Sequence, residues 1–193
     1  MSRYYVTTPI FYVNGAPHIG HAYTCIAADV LARWKRLDGY DVFFLTGTDE
    51  HGQKVEKAAQ AAGMAPQAFA DEVSAKFQAM SGRLNLTNDD FIRTTEPRHI
   101  AACQALWRRL REAGAIYLGQ YEGWYSVRDE AFFDEGELTT AADGTRTAPT
   151  GAPVDWVVEP SYFFRLSAYQ DQLLALYAGV PDSVLPPGRK REV

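Results

Sequence analysis

The order of predicted elements, β-α-β-α-α-β-α through residues 1–115, makes this an α/β protein built on the first half of a doubly wound parallel sheet. Three observations carry that assignment. Each helical stretch follows a short strand or another helix, the helical stretches stop at glycines, and the second strand is one continuous apolar run.

Arg3–Thr8, "RYYVTT", is aromatic and β-branched and precedes Pro9, so it reads as a strand. From Ile19 the apolar residues Ile19, Ala22, Tyr23, Ile26, Ala27, Val30, Leu31 and Trp34 keep to one face of a helix, with Gly39 where it should end. Asp41–Thr46, "DVFFLT", has the texture of a strand buried on both faces of a parallel sheet. A helix over Gln53–Ala62 stops at Gly63, and Pro66 opens another that runs to about Arg83. Asp90–Thr95 forms the third strand, and the helix that starts at Pro97 closes at Gly114. From Ile116 the chain turns aromatic, Gly-rich and short in period, which reads as a small β-rich insert over 116–167. Helical spacing returns over Ala168–Gly179, so residues 168–193 form a third segment.

The 193 residues are 47% hydrophobic and 22% charged, enough for one or two domains with a core. A net charge of −5 excludes a global basic field without excluding a local nucleic-acid contact. Cys25 and Cys103 are too few and too far apart for a disulfide framework or a zinc knuckle, which points to a reducing compartment. No apolar run approaches the roughly 18–20 residues of a membrane span, and "MSRYYVTTP" lacks the apolar region of a signal peptide. The expectation is a soluble, cytoplasmic protein with no membrane partner.

Right-handed crossovers put the ends of the first two strands at one carboxyl edge, where such sheets bind ligands. Those ends carry "TPIFYVNGAPHIGH" and "TGTDEHG". Neither G-x-G-x-x-G nor a P-loop is present. Instead His18-Ile19-Gly20-His21 stands at the first strand-to-helix turn, where free N–H groups and the helix dipole attract phosphate. His18 and His21 lie about one turn apart, able to donate to phosphate oxygens, and Gly20 lets a nucleotide approach the backbone. Taken alone, H-x-x-H also suits surface residues or a metal pair. The preceding strand, Asn14-Gly15, Pro17 and Gly20 make the pattern more specific. Past the second strand, Asp49 is suited to hold an ammonium group by a charge-assisted hydrogen bond. Its alternative is a loop acid or helix cap. Glu50 is left without a role, and His51 reads as structural.

"PIFYVNGAPHIGH" resembles the class I aminoacyl-tRNA synthetase signature. The longer stretches "YYVTTPIFYVNGAPHIGHAY", "LARWKRLDGYDVFFLTGTDEHGQK", "DDFIRTTEPRH", "YEGWYSVRDEAFF" and "EPSYFFRLSAYQ" are similar to bacterial methionyl-tRNA synthetases over essentially the whole chain. The short insert and the "TGTDEHG" stretch favour methionine over the enzymes for leucine, isoleucine and valine, which carry a large editing domain. A Cys-rich zinc site for a cysteine substrate is also lacking.

The resemblance implies a Rossmann-like (HUP-type) catalytic half over 1–115 and a connective-peptide insert over 116–167. It also implies a helical return over 168–193 toward a second half of the sheet. By it, the family activity is ATP-dependent activation of L-methionine to methionyl-adenylate and transfer to the 3′ end of tRNA(Met). The catalytic residues would be His18 and His21. Asn14, His18, Gly20 and His21 would bind ATP, which arrives with Mg2+. Ile10, Tyr12 and Asp49 would bind methionine. Many family members hold zinc in the insert through paired cysteines; "YSVRDEAFF" and "TAPTGAPVDW" have none, so no zinc is expected.

The family pattern also includes a K-M-S-K-S-type loop, the rest of the methionine pocket and anticodon-binding helices, none of which appears before Val193. Arg191 stands where the family usually has Asn before Glu192-Val193. The expectation is an N-terminal part that is inactive in aminoacylation by itself, with tRNA contacts mostly elsewhere. Two other readings stand beside it: a small HxGH nucleotidyltransferase, and a non-catalytic nucleotide-binding segment. The aromatic residues Trp124, Tyr125, Phe132, Phe133, Trp156, Tyr162 and Phe163 read as the core of the insert. Cys25 reads as buried and inert, and "GRKRE" as a solvated charge run.

Overall fold

The computed structural model describes residues 2–141 and 143–192; Val193, the last residue of the family pattern noted above, lies outside them. The chain divides into two compact units, Met1–Ala105 and Leu106–Val193.

In the first unit, β1 (Arg3–Thr7), β2 (Phe11–Tyr12), β3 (Asp41–Asp49) and β4 (Asp90–Arg93) form one parallel sheet with β3 in the middle. β1 and β2 pair successively along the same edge of β3, Thr7 opposite Leu45 and Phe11 opposite Thr48. The first strand thus uses one more residue than β3 over this interval. Pro9, which cannot donate to the ladder, sits in that bulge. Sequence reasoning saw only β1, because the two-residue β2 lies beyond the proline.

The sheet advances in one direction from β1 to β3 to β4, so right-handed crossovers lay α1 (Ile19–Leu37), α2 (Gln53–Ala61) and α3 (Pro66–Arg83) on the same face. Val42, Phe44, Thr46 and Thr48 look toward them. This corrects the expectation of a strand buried on both sides. On the opposite face Phe43 is 46% exposed and touches the ring of Tyr5, which is 62% exposed. The helix boundaries follow the expected stops, with Gly39, Gly63 and Gly114 all at positive φ.

The buried face of α1 also differs from the expected stripe. Cys25, Ala28, Asp29 and Ala32 face inward at i, i+3, i+4, i+7 spacing. Ile19, Tyr23, Ile26, Val30 and Trp34 are exposed. Small side chains win the inward face because they let the helix axis approach the sheet closely, which bulky residues prevent. The core joins Phe11, Val13 and Cys25 to Val55 of α2 and Ala70, Val73 and Phe77 of α3. Asp29 is buried but satisfied, accepting from Thr87 N, Thr87 Oγ1 and Arg33 Nε, each at 2.6 Å. Burial alone would raise its pKa; the hydrogen bonds from Thr87 and Arg33 outweigh that and hold it below the usual carboxylate range.

α4 (Pro97–Glu112) buries no residue fully. In the second unit β5 (Ile116–Ser126) lies between antiparallel β6 (Ala131–Phe133) and β9 (Asp155–Phe164). β7 (Thr139–Thr140) and β8 (Arg146–Thr147) form a separate hairpin. Trp124, Phe133 and Leu138 pack on the small core of Ala148, Ala152 and Val154. Of the aromatic residues expected inside, Trp156 and Tyr162 are 51% and 55% exposed, with their rings edge-on to Trp124 and Trp107. A polar knot holds one corner: Asp129 Oδ2 accepts from Ser126 Oγ at 3.1 Å and Thr150 Oγ1 at 2.5 Å. α5 (Gln170–Gly179) and α6 (Pro187–Lys190) complete the unit. Among the described residues no helix is long and apolar enough to cross a membrane.

Candidate active site

The two unusual stretches meet at the carboxyl edge of the parallel sheet, as the topology requires. β2 leads into a loop over residues 13–18 that ends at the start of α1, and β3 ends at Asp49. Tyr12 pairs with Asp49 across the sheet, and Val13 N donates to Asp49 O at 3.3 Å.

His18 is the N-cap of α1, with extended backbone at φ −129° and ψ 179°. Its Nδ1 accepts the Gly20 N–H at 3.1 Å, while the Nδ1 of His21 accepts the His18 N–H at the same distance. Two imidazoles thus form a reciprocal cap of the kind usually built from Ser or Thr with Glu. The rings stack with centroids 3.8 Å apart. Phe11 and Phe77 support His21 edge-on from below, at 4.9 and 5.1 Å.

A ring nitrogen that accepts a hydrogen bond carries no proton. In the neutral rings the proton therefore sits on Nε2, and both histidines present Nε2–H as a donor. Burial against the two phenylalanines, and then the nearby His18, push the His21 pKa below 6.5. His21 is thus suited to act as a neutral donor at neutral pH. Gly20 has a role in this cap as well: a Cβ there would lie 3.0 Å from His18 Cε1 and 3.2 Å from Nδ1. A side chain there would make the His18 ring give way by a few tenths of an ångström.

A cavity of about 550 Å3 opens beside His18 between the start of α1 and the end of α3, lined by Ala16, Pro17, Ile19, Met80 and Arg83 among others. Ile10 and Tyr12 are 42% and 45% exposed, and Lys54 Nζ lies 5.7 Å from the Tyr12 ring centre. Asn14 is exposed in the bend before α1. His18, Gly20 and His21 are thus in mutual contact, and Tyr12 is beside Asp49. Among the described residues no hydrogen bond joins Asn14 or Ile10 to either group. Nor do three His, Cys, Asp or Glu side chains gather there as a metal site.

Asp49 and Glu50 differ sharply although adjacent. No hydrogen bond or ion pair among the described residues engages the Asp49 carboxylate. The Glu50 side chain is fully buried and bound bidentately by Arg93, Nε to Oε1 at 2.7 Å and Nη2 to Oε2 at 2.8 Å. Burial by itself would raise Glu50, but hydrogen bonds from Arg93, Thr95 and Thr48 hold its pKa low. The same bond to Glu50 raises Arg93 further into its charged range. Sequence reasoning missed this pair. The available signal was an arginine following Phe91-Ile92 at the end of a short, half-buried strand, where a partner is needed.

A family model described as class I tRNA synthetases (M) matches residues 4–186. The chain belongs to that family. Within it, the methionine–tRNA ligase of Mesorhizobium japonicum is 61% identical over 191 residues, 99% of this chain and 37% of that protein. The Rickettsia felis methionine–tRNA ligase is 60% identical over 192 residues, again 37% of its length. The chain therefore spans little more than a third of these relatives. A structure of Mycobacterium tuberculosis methionyl-tRNA synthetase in complex with methionyl-adenylate superposes with a TM-score of 0.90. It is 57% identical, and the match covers 100% of this chain and 38% of that one. The apo form of the same enzyme gives a TM-score of 0.74 at 52% identity, covering 100% and 36%. The α/β class and the family likeness read from the motifs agree with these matches.

Proposed function

We propose that this chain is the N-terminal part of a methionine–tRNA ligase and supplies half of its adenylate-forming site. The observation that carries the reading is the histidine cap on α1, with two Nε2–H donors at the start of a helix on the sheet's carboxyl edge. Close relatives named as methionine–tRNA ligases, and a fold shared with an adenylate-bound enzyme, support the choice of substrate.

In this mechanism an oxygen of the methionine carboxylate attacks the α-phosphorus of ATP, pyrophosphate departs, and methionyl-adenylate forms. Charge grows on the phosphate oxygens as the new bond forms. His18 and His21 donate Nε2–H bonds to those oxygens without gaining or losing a proton, because their Nδ1 atoms are committed to the backbone. Such a donor, already oriented, contributes roughly 10²–10³ in rate. Gly20 leaves the backbone open to the nucleotide, and Asn14 orders the loop beside it. Asp49 holds the methionine ammonium, with Ile10 and Tyr12 lining the side-chain pocket. Mg2+ arrives with ATP as part of the substrate. The methionyl group then passes to the 3′-terminal adenosine of tRNA(Met), and AMP leaves.

The insert holds together without zinc in this reading. Ser126, Asp129 and Thr150 supply hydroxyl-to-carboxylate hydrogen bonds at one corner, and such groups are poor zinc ligands beside thiolates. A chelator should leave the melting temperature unchanged; a drop would overturn the zinc-free reading.

A hybrid in which this chain replaces the matching segment of the Mesorhizobium japonicum ligase tests the activity. It should catalyse ATP–pyrophosphate exchange only with methionine, and His21→Ala should slow exchange at least a hundredfold. Exchange without any amino acid would favour a simple nucleotidyltransferase instead.

A further inference from the structure

We infer that Glu50 is a positioning residue that, clamped by Arg93, fixes the backbone carrying Asp49 and so governs recognition of the substrate ammonium. This rests on the role given to Asp49 above.

Glu50 has no capacity left for a ligand. Its Oε1 accepts from Thr48 Oγ1 and Arg93 Nε, both at 2.7 Å, and its Oε2 accepts from Arg93 Nη2 at 2.8 Å and Thr95 Oγ1 at 2.6 Å. The side chain is 0% exposed. Each contact comes from a different direction. Thr48 is on β3, Arg93 ends β4, and Thr95 follows it. Arg93 Nη2 reaches on to Asp71 of α3 at 2.5 Å.

The backbone of the same segment is bound as firmly. Glu50 N donates to Thr94 Oγ1 at 2.8 Å, Thr94 N to Thr48 O at 3.2 Å, and Val13 N to Asp49 O at 3.3 Å. Asp49 is thus held between two neighbouring strands, while its own carboxylate is left unengaged among the described residues. A buried ion pair gives little net stability over an apolar plug of the same size. What it gives is a single geometry, because a bidentate guanidinium–carboxylate pair tolerates little rotation. A recognition carboxylate needs that, since a shift of an ångström weakens a charge-assisted bond.

The test compares binding of L-methionine with that of 4-(methylthio)butanoate, its analogue without the amino group, by ligand-observed NMR, to the hybrid in which this chain replaces the matching segment of the Mesorhizobium japonicum ligase. Wild type should prefer methionine, and Asp49→Asn should erase the preference. Glu50→Gln and Arg93→Met should reduce it about tenfold, leaving the affinity for the analogue within twofold, and Arg93→Lys should fall between. In the same variants the Glu50 and Val13 amides should exchange with solvent at least tenfold faster, with the α1 amides unchanged. If Glu50→Gln and Arg93→Met weaken both ligands equally, or leave the two amides protected, Glu50 is only structural and the inference fails. A wild-type hybrid with no preference for the amine, or an Asp49→Asn variant that keeps it, overturns the reading of Asp49 itself.

Discussion

The Nδ1 of His21 accepts the backbone N–H of His18 at 3.1 Å, and the two rings stack 3.8 Å apart. One residue's side chain thereby completes the other's helix cap. Most helices that bind phosphate offer backbone N–H groups to the ligand. Here some of that donor capacity is committed to the histidines, and the imidazoles pass it outward through Nε2–H.

In their neutral form both rings should therefore be Nε2–H tautomers. Imidazole 15N chemical shifts, read through long-range couplings to the ring protons, report this directly. Each histidine should show an unprotonated Nδ1. A protonated Nδ1 on either ring would remove the cap as the source of donor orientation. His18→Ala, which deletes one half of the cap, should cost about 1 kcal/mol in denaturant unfolding.

The cap should also weaken in mild acid. The folded-state pKa of His21 lies below 6.5, so under that pH the unfolded chain takes up the proton more readily than the folded one. The His21 contribution to stability is complete above about 6.5 and is lost as pH falls through the lowered value. Carboxylates such as Asp29 and Glu50 are also lowered and act in the same sense further into acid. Urea unfolding at pH 7.5 and 5.5 should show a decline that shrinks in His21→Gln. An equal decline in both proteins would assign it elsewhere.

Gly20→Ala separates stability from function. An alanine in a helix is favoured over glycine by roughly 1 kcal/mol, so the melting temperature should hold or rise. The added methyl, 3.0 Å from His18 Cε1, shifts that ring by a few tenths of an ångström and weakens its bond to the Gly20 N–H. Exchange activity in the hybrid should fall at least tenfold while the protein stays folded. Full activity with an unmoved His18 ring would show that the close contact is not required.

The residues around this cap show what sequence can carry. The order of elements along the chain, the helix stops and the histidine-bearing turn follow from patterns of a few neighbouring residues, and these are legible. The inward face of α1 is not, because Cys25, Ala28 and Ala32 are chosen for their small size against a sheet that lies elsewhere in the chain. Apolar side-chain area ranks Ile19, Tyr23 and Trp34 above them. The Glu50–Arg93 pair likewise joins residues 43 apart in sequence, so its two charges look like ordinary surface residues until the strands are aligned.

Gly47 shows the same limit and makes the last prediction. It sits opposite Ile92 in the β3–β4 ladder, and a Cβ there would lie 2.1 Å from the Ile92 carbonyl oxygen and 2.6 Å from its Cγ2. That atom is backbone and cannot rotate away, so the two strands must part. Overpacking of movable side chains costs about 1–3 kcal/mol, and a backbone clash should exceed the upper figure. Gly47→Ala should therefore destabilise by more than about 3 kcal/mol. It should also displace Arg93, one residue beyond Ile92, and release the Glu50 and Val13 amides to exchange. Gly15→Ala, with nothing within 4 Å of the added methyl, is the control and should stay within about 0.5 kcal/mol of wild type. Matching stabilities for the two variants would mean that β3 and β4 can separate at no cost, and that the clamp does not depend on their close approach.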